Sequence, residues 1–399
     1  MLSSLALTSL LLAGSVRDEI IRDHVLFSVA GKFVEVRGAP TPEQLVGKIR
    51  FSHAKTVVLM IHGGLVSTAS ALQTFTQLHD AMPKEAYPIY LSWESGPAYS
   101  MFPPEAPRHR PKPERRWSGG EHLRPPHPLG DAERRLEHNT RGFGKLIWTQ
   151  TKRFISYGTN PDDPDAITTR FMKAFVPLWK ERKLRVVLVG HSAGAIYVSR
   201  IIENLATWRN EPNFPSVDAG VEVVFMAPAC TYESIADRRN AFRKYVKAFR
   251  MFALADDAER YDALLAVNAA PKAVRSWYDA SLLYYISNNL EGQVDRPLLG
   301  MERFWRLANR EPIVMPRDLS EWEVQAVRVT DDVLKIKANS VWSRGSFGQA
   351  YAPSPGGPGW ECSAARHMDF WVDPLMQRSL SYIATHPMTP LRSTTSSKG

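Results

Sequence analysis

Short apolar runs recur along the chain, each closed by glycine or turn residues and followed by a helical pattern. The clearest is Val57–Ile61, which runs into His62-Gly63-Gly64. Pro88–Trp93 is closed by Glu94-Ser95-Gly96, Arg185–Val189 by Gly190, Val221–Met226 by Ala227-Pro228, and Ala248–Leu254 by Ala255-Asp256-Asp257. Runs this short and unbroken suit strands covered on both faces, as in a parallel sheet packed between helices. Their alternation with helical segments predicts an α/β class with a mostly parallel central sheet flanked by helices.

The rhythm breaks between residues 97 and 182. The first part, PPEAPRHRPKPERRWSGGEHLRPPHPLG, is crowded with proline, which fixes φ and removes backbone donors, so neither helix nor sheet interior is expected there. From Asp131 to Arg153 the pattern turns helical and amphipathic, with Phe143, Ile147 and Phe154 among basic residues. The segment 97–182 therefore reads as an insertion, a Pro/Arg-rich loop plus a helical cap over a pocket, between core segments 25–96 and 183–386. A second loop runs from Ser343 to Ala365, a helical pattern from Leu375 to Ile383, and a polar tail over 387–399.

Composition changes little. At 399 residues, 44% hydrophobic and 23% charged, the chain is a globular protein with a sizeable core. The formal charge of +9 is concentrated between Arg108 and Arg153. No zinc-finger, RNP or basic-zipper pattern accompanies it, so a solvated or weakly membrane-facing basic surface is expected rather than a nucleic-acid partner. The two cysteines, Cys230 and Cys362, form neither a disulfide framework nor a CxxC pair and read as free thiols. The eleven histidines lack HExxH or HxH spacing, so no metal is expected. The apolar opening, MLSSLALTSLLLAG, is too short to span a bilayer and has no preceding Lys or Arg. A docked N-terminal helix within residues 1–24 and a cytoplasmic location are expected, with export or membrane association through 1–14 as the alternative.

The strongest chemical signal is Gly190-His191-Ser192-Ala193-Gly194, lying between the run Val186–Val189 and a helical pattern through Ile201, Ile202 and Leu205. A serine nucleophile needs a sharp strand-to-helix turn, with tiny residues two before and two after it. Gly190 and Gly194 meet that demand. The oxyanion formed on attack needs preorganised amides. Ala193 supplies one at a helix start, and the turn His62-Gly63-Gly64-Leu65 supplies the other, from Gly64 or its rival Leu65. His62 is expected to orient this turn. The base and its acid should follow in the order Ser, acid, His. Asp256 is the first choice of acid, Asp257 its rival and Glu259 third, while helix capping is the competing role for the two aspartates. Only His367 and His386 follow; His367 is the expected base and His386 is expected to be exposed. The Ser192 hydroxyl must stand exposed above the sheet within reach of the His367 ring.

VVLMIHGG, VVLVGHSAG, the acidic turn in FALADDAE and the late His367 together resemble the α/β-hydrolase superfamily. Similarity extends to large, poorly characterised bacterial members through PIYLSWESG (Pro88–Gly96), SLLYYIS (Ser281–Ser287) and PLLGMERFW (Pro297–Trp305). The resemblance implies cleavage of an ester or related acyl bond of a small-molecule substrate without metal or organic cofactor. Ala365-Arg366 before His367 departs from the small residues usual there. A catalytically silent binding scaffold and an acyltransferase or peptidase with the same triad are the alternatives.

Overall fold

The computed structural model describes residues 17–96, 131–208, 220–262, 278, 280–309, 318–345 and 356–391. The apolar opening, the Pro/Arg-rich stretch 97–130 and the end of the polar tail lie outside the described residues.

Eight strands form one sheet in the order β2-β1-β4-β3-β5-β6-β7-β8. They are β1 Val25–Val29, β2 Lys32–Phe33, β3 Thr56–Ile61, β4 Ala86–Trp93, β5 Arg185–His191, β6 Val221–Met226, β7 Val246–Leu254 and β8 Ser340–Ser343. Every neighbouring pair is parallel except β1 with β2. All five strands expected from the apolar runs are present. β3, β4 and β6 are buried at every position, because helices flank the sheet. The strands without a sequence signal, β1, β2 and β8, lie toward the two edges, and β2 and β8 are very short.

Among the described residues between β4 and β5 there are two helices. Asp131–Gly158 packs against helix Ala193–Trp208 and against the π-helical turn Ile286–Leu290. Its buried face combines Ile147, Trp148, Phe154 and Ile155 with Glu137, Gly144 and Thr151, while Phe143 and Leu146 face outward. Apolar periodicity alone misassigned Phe143, because Gly144 is what makes close contact, with Leu290. The second helix, Ile167–Arg182, stacks Phe171, Phe175 and Trp179 along one side and packs against helix Pro42–Phe51. Arg182 donates to the carbonyls of Ile49, Ser52 and Ala54. This part of 97–182 thus belongs with the flanking layer beside β2. The C-terminal helix Pro374–Thr385 is tied to the sheet by Arg185, which grips Glu222 with two nitrogens and also donates to the carbonyls of Ile383 and His386. Among the described residues no helix is long and apolar enough to cross a membrane.

Candidate active site

The strand order reverses direction at β3 and β5. From β3 the chain moves to β4 on one side; from β5 it moves to β6 and β7 on the other. Loops leaving neighbouring carboxyl ends in opposite directions open a crevice, the usual ligand position in such sheets. The turn after β3 is His62-Gly63-Gly64-Leu65, and the turn after β5 holds Ser192.

Ser192 has φ of 53°, the left-handed region that a residue with a Cβ rarely enters. Its surroundings enforce that angle. The Ser192 amide donates to Met226 O at 2.9 Å, and its carbonyl accepts from Ala195 and Ala229, each at 3.1 Å. The flanking glycines leave no room for a side chain. A Cβ on Gly190 would lie 2.7 Å from Gly194 O, and one on Gly194 would lie 2.3 Å from Ile61 O. The steric demand read from the sequence is met at both positions.

The oxyanion candidates come together. A Cβ on Gly63 would lie 3.0 Å from the Ser192 Cβ, and one on Gly64 would lie 3.2 Å from the Ala193 Cβ. Among the described residues, no backbone carbonyl takes the amide of Gly64 or of Ala193. Leu65 is itself left-handed, with φ of 62°, completing the turn. His62 holds this turn as expected. Its Nε2 accepts from the Trp93 amide at 3.1 Å, so Nδ1 carries the proton and donates to Gly63 O at 2.7 Å. Burial pushes its pKa down to about 4, which keeps this neutral tautomer.

His367 lies beside the elbow. Its ring centroid is 5.0 Å from that of His191, and His191 Nε2 is 2.9 Å from His367 O. Among the described residues neither His367 ring nitrogen has a hydrogen-bond partner, and burial holds its pKa well below the ordinary imidazole value. His386 is exposed and stacks on Tyr382, as expected for a residue outside the site.

The expected exposure of the serine is not met: Ser192 and His367 are each only 2% exposed. The cover includes helix Asp131–Gly158, whose Thr151 and Trp148 side chains press on Gly64, 3.1 and 3.7 Å from where its Cβ would be. That helix is held by a row of polar bonds. Glu137 accepts from Tyr278 and Asn288, Thr140 from Tyr285 and Asn289, and Glu291 accepts from Trp148 and Lys152.

The carboxylates after β7 separate clearly. Asp256 accepts from the Tyr284 hydroxyl at 2.7 Å and from Arg260, while its amide donates to Glu302. Asp257 accepts from the Ala258 amide and from Arg344. Both sit in the first turn of helix Asp256–Tyr261, where negative charge suits the dipole, with Ala255 at the N-cap. Glu259 accepts from Ser281, and burial raises its pKa well above the usual carboxylate value. Among the described residues no hydrogen bond joins any of the three to His367. The carboxylate that does reach it is Asp262, which accepts from the His367 amide at 2.7 Å and is pushed up to about 6 by burial. Sequence reasoning missed Asp262. Its only signal is membership of the same acidic segment, one helix further from the strand.

Cys230 and Cys362 are free and buried, with burial raising both thiols to about 12. Among the described residues no three His, Cys, Asp or Glu side chains are grouped to hold a metal ion. No family model, curated protein or solved structure matches the chain.

Proposed function

We propose that the protein is a serine hydrolase of the α/β-hydrolase type, cleaving a carboxylic ester or related acyl bond through an acyl-enzyme. The observation that carries this is the left-handed Ser192 at the end of β5, set against the Gly63-Gly64 turn at the reversal of strand order. Ser192 Oγ attacks the acyl carbon while His367 takes its proton. The carbonyl oxygen becomes an oxyanion between the amides of Ala193 and Gly64. The imidazolium then protonates the leaving group, and water repeats the sequence to release the acid.

Asp262 takes the acid role in preference to Asp256 and Asp257. Arg260 and Tyr284 already occupy Asp256 and Arg344 holds Asp257, whereas Asp262 is the carboxylate bonded to His367, through its amide. Helix Asp131–Gly158 acts as the lid. It is attached to Tyr278 and to residues 285–291 by apolar contact such as Gly144 with Leu290 and by side-chain hydrogen bonds that water can replace.

A closed site with an unpartnered base also fits a catalytically silent scaffold. A fluorophosphonate probe decides between the two. Labelling of the folded protein that disappears in Ser192→Ala supports the hydrolase; folded protein that never reacts supports the scaffold.

A further inference from the structure

His191, the residue before the nucleophile, is an imidazole where the packing asks only for bulk. It is fully enclosed, with the rings of His367, Trp371 and Phe370 around it at centroid distances of 5.0, 5.7 and 6.3 Å. Among the described residues its ring makes one hydrogen bond, Nε2 to His367 O at 2.9 Å, and Nδ1 has no partner. A carbonyl requires a donor, so the single proton of the neutral ring sits on Nε2 and Nδ1 is left as a bare lone pair. A buried, unpaired acceptor opposes folding, and leucine or phenylalanine would fill the space without it. What the imidazole alone provides is the bond to His367.

That bond joins the two halves of the proposed machinery. His191 is covalently next to Ser192, so the His367 carbonyl is measured directly from the backbone that carries the nucleophile. On its other side the His367 amide donates to Asp262 at 2.7 Å. With both peptide groups of residue 367 held, its Cα and the direction of its Cβ are set. The segment 356–373 is anchored elsewhere, by Ser343 on Ala364 O and by Asp373 on Ser363, but His191 and Asp262 are what hold residue 367 itself, and general-base catalysis tolerates little looseness.

We propose that His191 is a positioning residue that holds His367 at a set distance from Ser192 through the His367 carbonyl; this rests on the hydrolase reading above. The rate constant for fluorophosphonate labelling of Ser192 should fall about 10- to 100-fold in His191→Leu, as expected for a displacement near 1 Å. His191→Gln keeps an N–H donor of similar reach and should recover most of the rate. Melting temperatures of the two variants should not follow that order, which separates positioning from a merely structural role. Leu labelling at the wild-type rate, or Leu and Gln equally slow, would overturn the proposal while leaving the hydrolase reading intact. Wild-type protein that folds but does not label removes the hydrolase reading instead. In that event hydrogen exchange still tests the clamp: amides of residues 366–368 no less protected in His191→Leu than in wild type mean the hold is absent.

Discussion

Gly194→Ala sets two effects of opposite sign against each other. Gly194 is the second residue of helix Ala193–Trp208. On helix propensity alone, alanine should stabilise the protein by about 1 kcal/mol. The packing says otherwise. The new methyl would sit 2.3 Å from Ile61 O and 2.8 Å from His62 O, both backbone atoms of β3 and the turn after it. Reaching ordinary contact needs a separation of roughly 1 Å between the elbow and that turn, and no flexible side chain can absorb it. Overpacking of this kind costs about 1–3 kcal/mol, and backbone on both sides puts it at the upper end. The net expectation is a loss of about 2 kcal/mol, read as a lower urea midpoint at unchanged m-value. The same displacement pulls Gly64 away from Ser192, so labelling should slow about 100-fold. A variant as stable as wild type and labelled as fast would refute the steric account of the elbow.

Asp262→Asn should cut the labelling rate about 100-fold or more, since the amide no longer stabilises the imidazolium. Asp256→Asn should chiefly cost stability, about 1–2 kcal/mol, by weakening the Arg260 and Tyr284 contacts. The opposite ranking in rate would return the acid role to Asp256. Acid should unfold the protein partly through His62. Its folded pKa of about 4 lies below the ordinary 6.5, so its contribution is whole above pH 6.5, falls as pH drops toward 4, and is constant below. The lost stabilisation is about 3 kcal/mol. His62→Gln should therefore lose that much less than wild type between pH 6.5 and 4, and parallel stability curves would contradict this.

The tight turn at Ser192 was legible because its requirement is local. A left-handed residue between a strand and a helix needs tiny neighbours two positions away, so Gly190, Ser192 and Gly194 are visible in five consecutive letters. The buried strands were legible for a related reason: a strand covered on both faces must be apolar at nearly every position. Chain order pointed to His367, which does lie beside the Ser192 turn, and His386 is exposed as expected.

Tertiary structure decided what depends on competition between distant groups. Asp256 stands nearest the end of β7, yet Arg260 and Tyr284 claim it, and only the folded loop turns Asp262 toward the His367 amide. The amphipathic pattern did foretell a covering helix, with Ile147 and Phe154 buried, but not that Trp148 and Thr151 would press on Gly64, because that depends on how the helix meets the turn after β3. Local sterics can be written in neighbouring residues. Which carboxylate meets which histidine is settled by how loops from separate strands pack, and that information is spread over the whole chain.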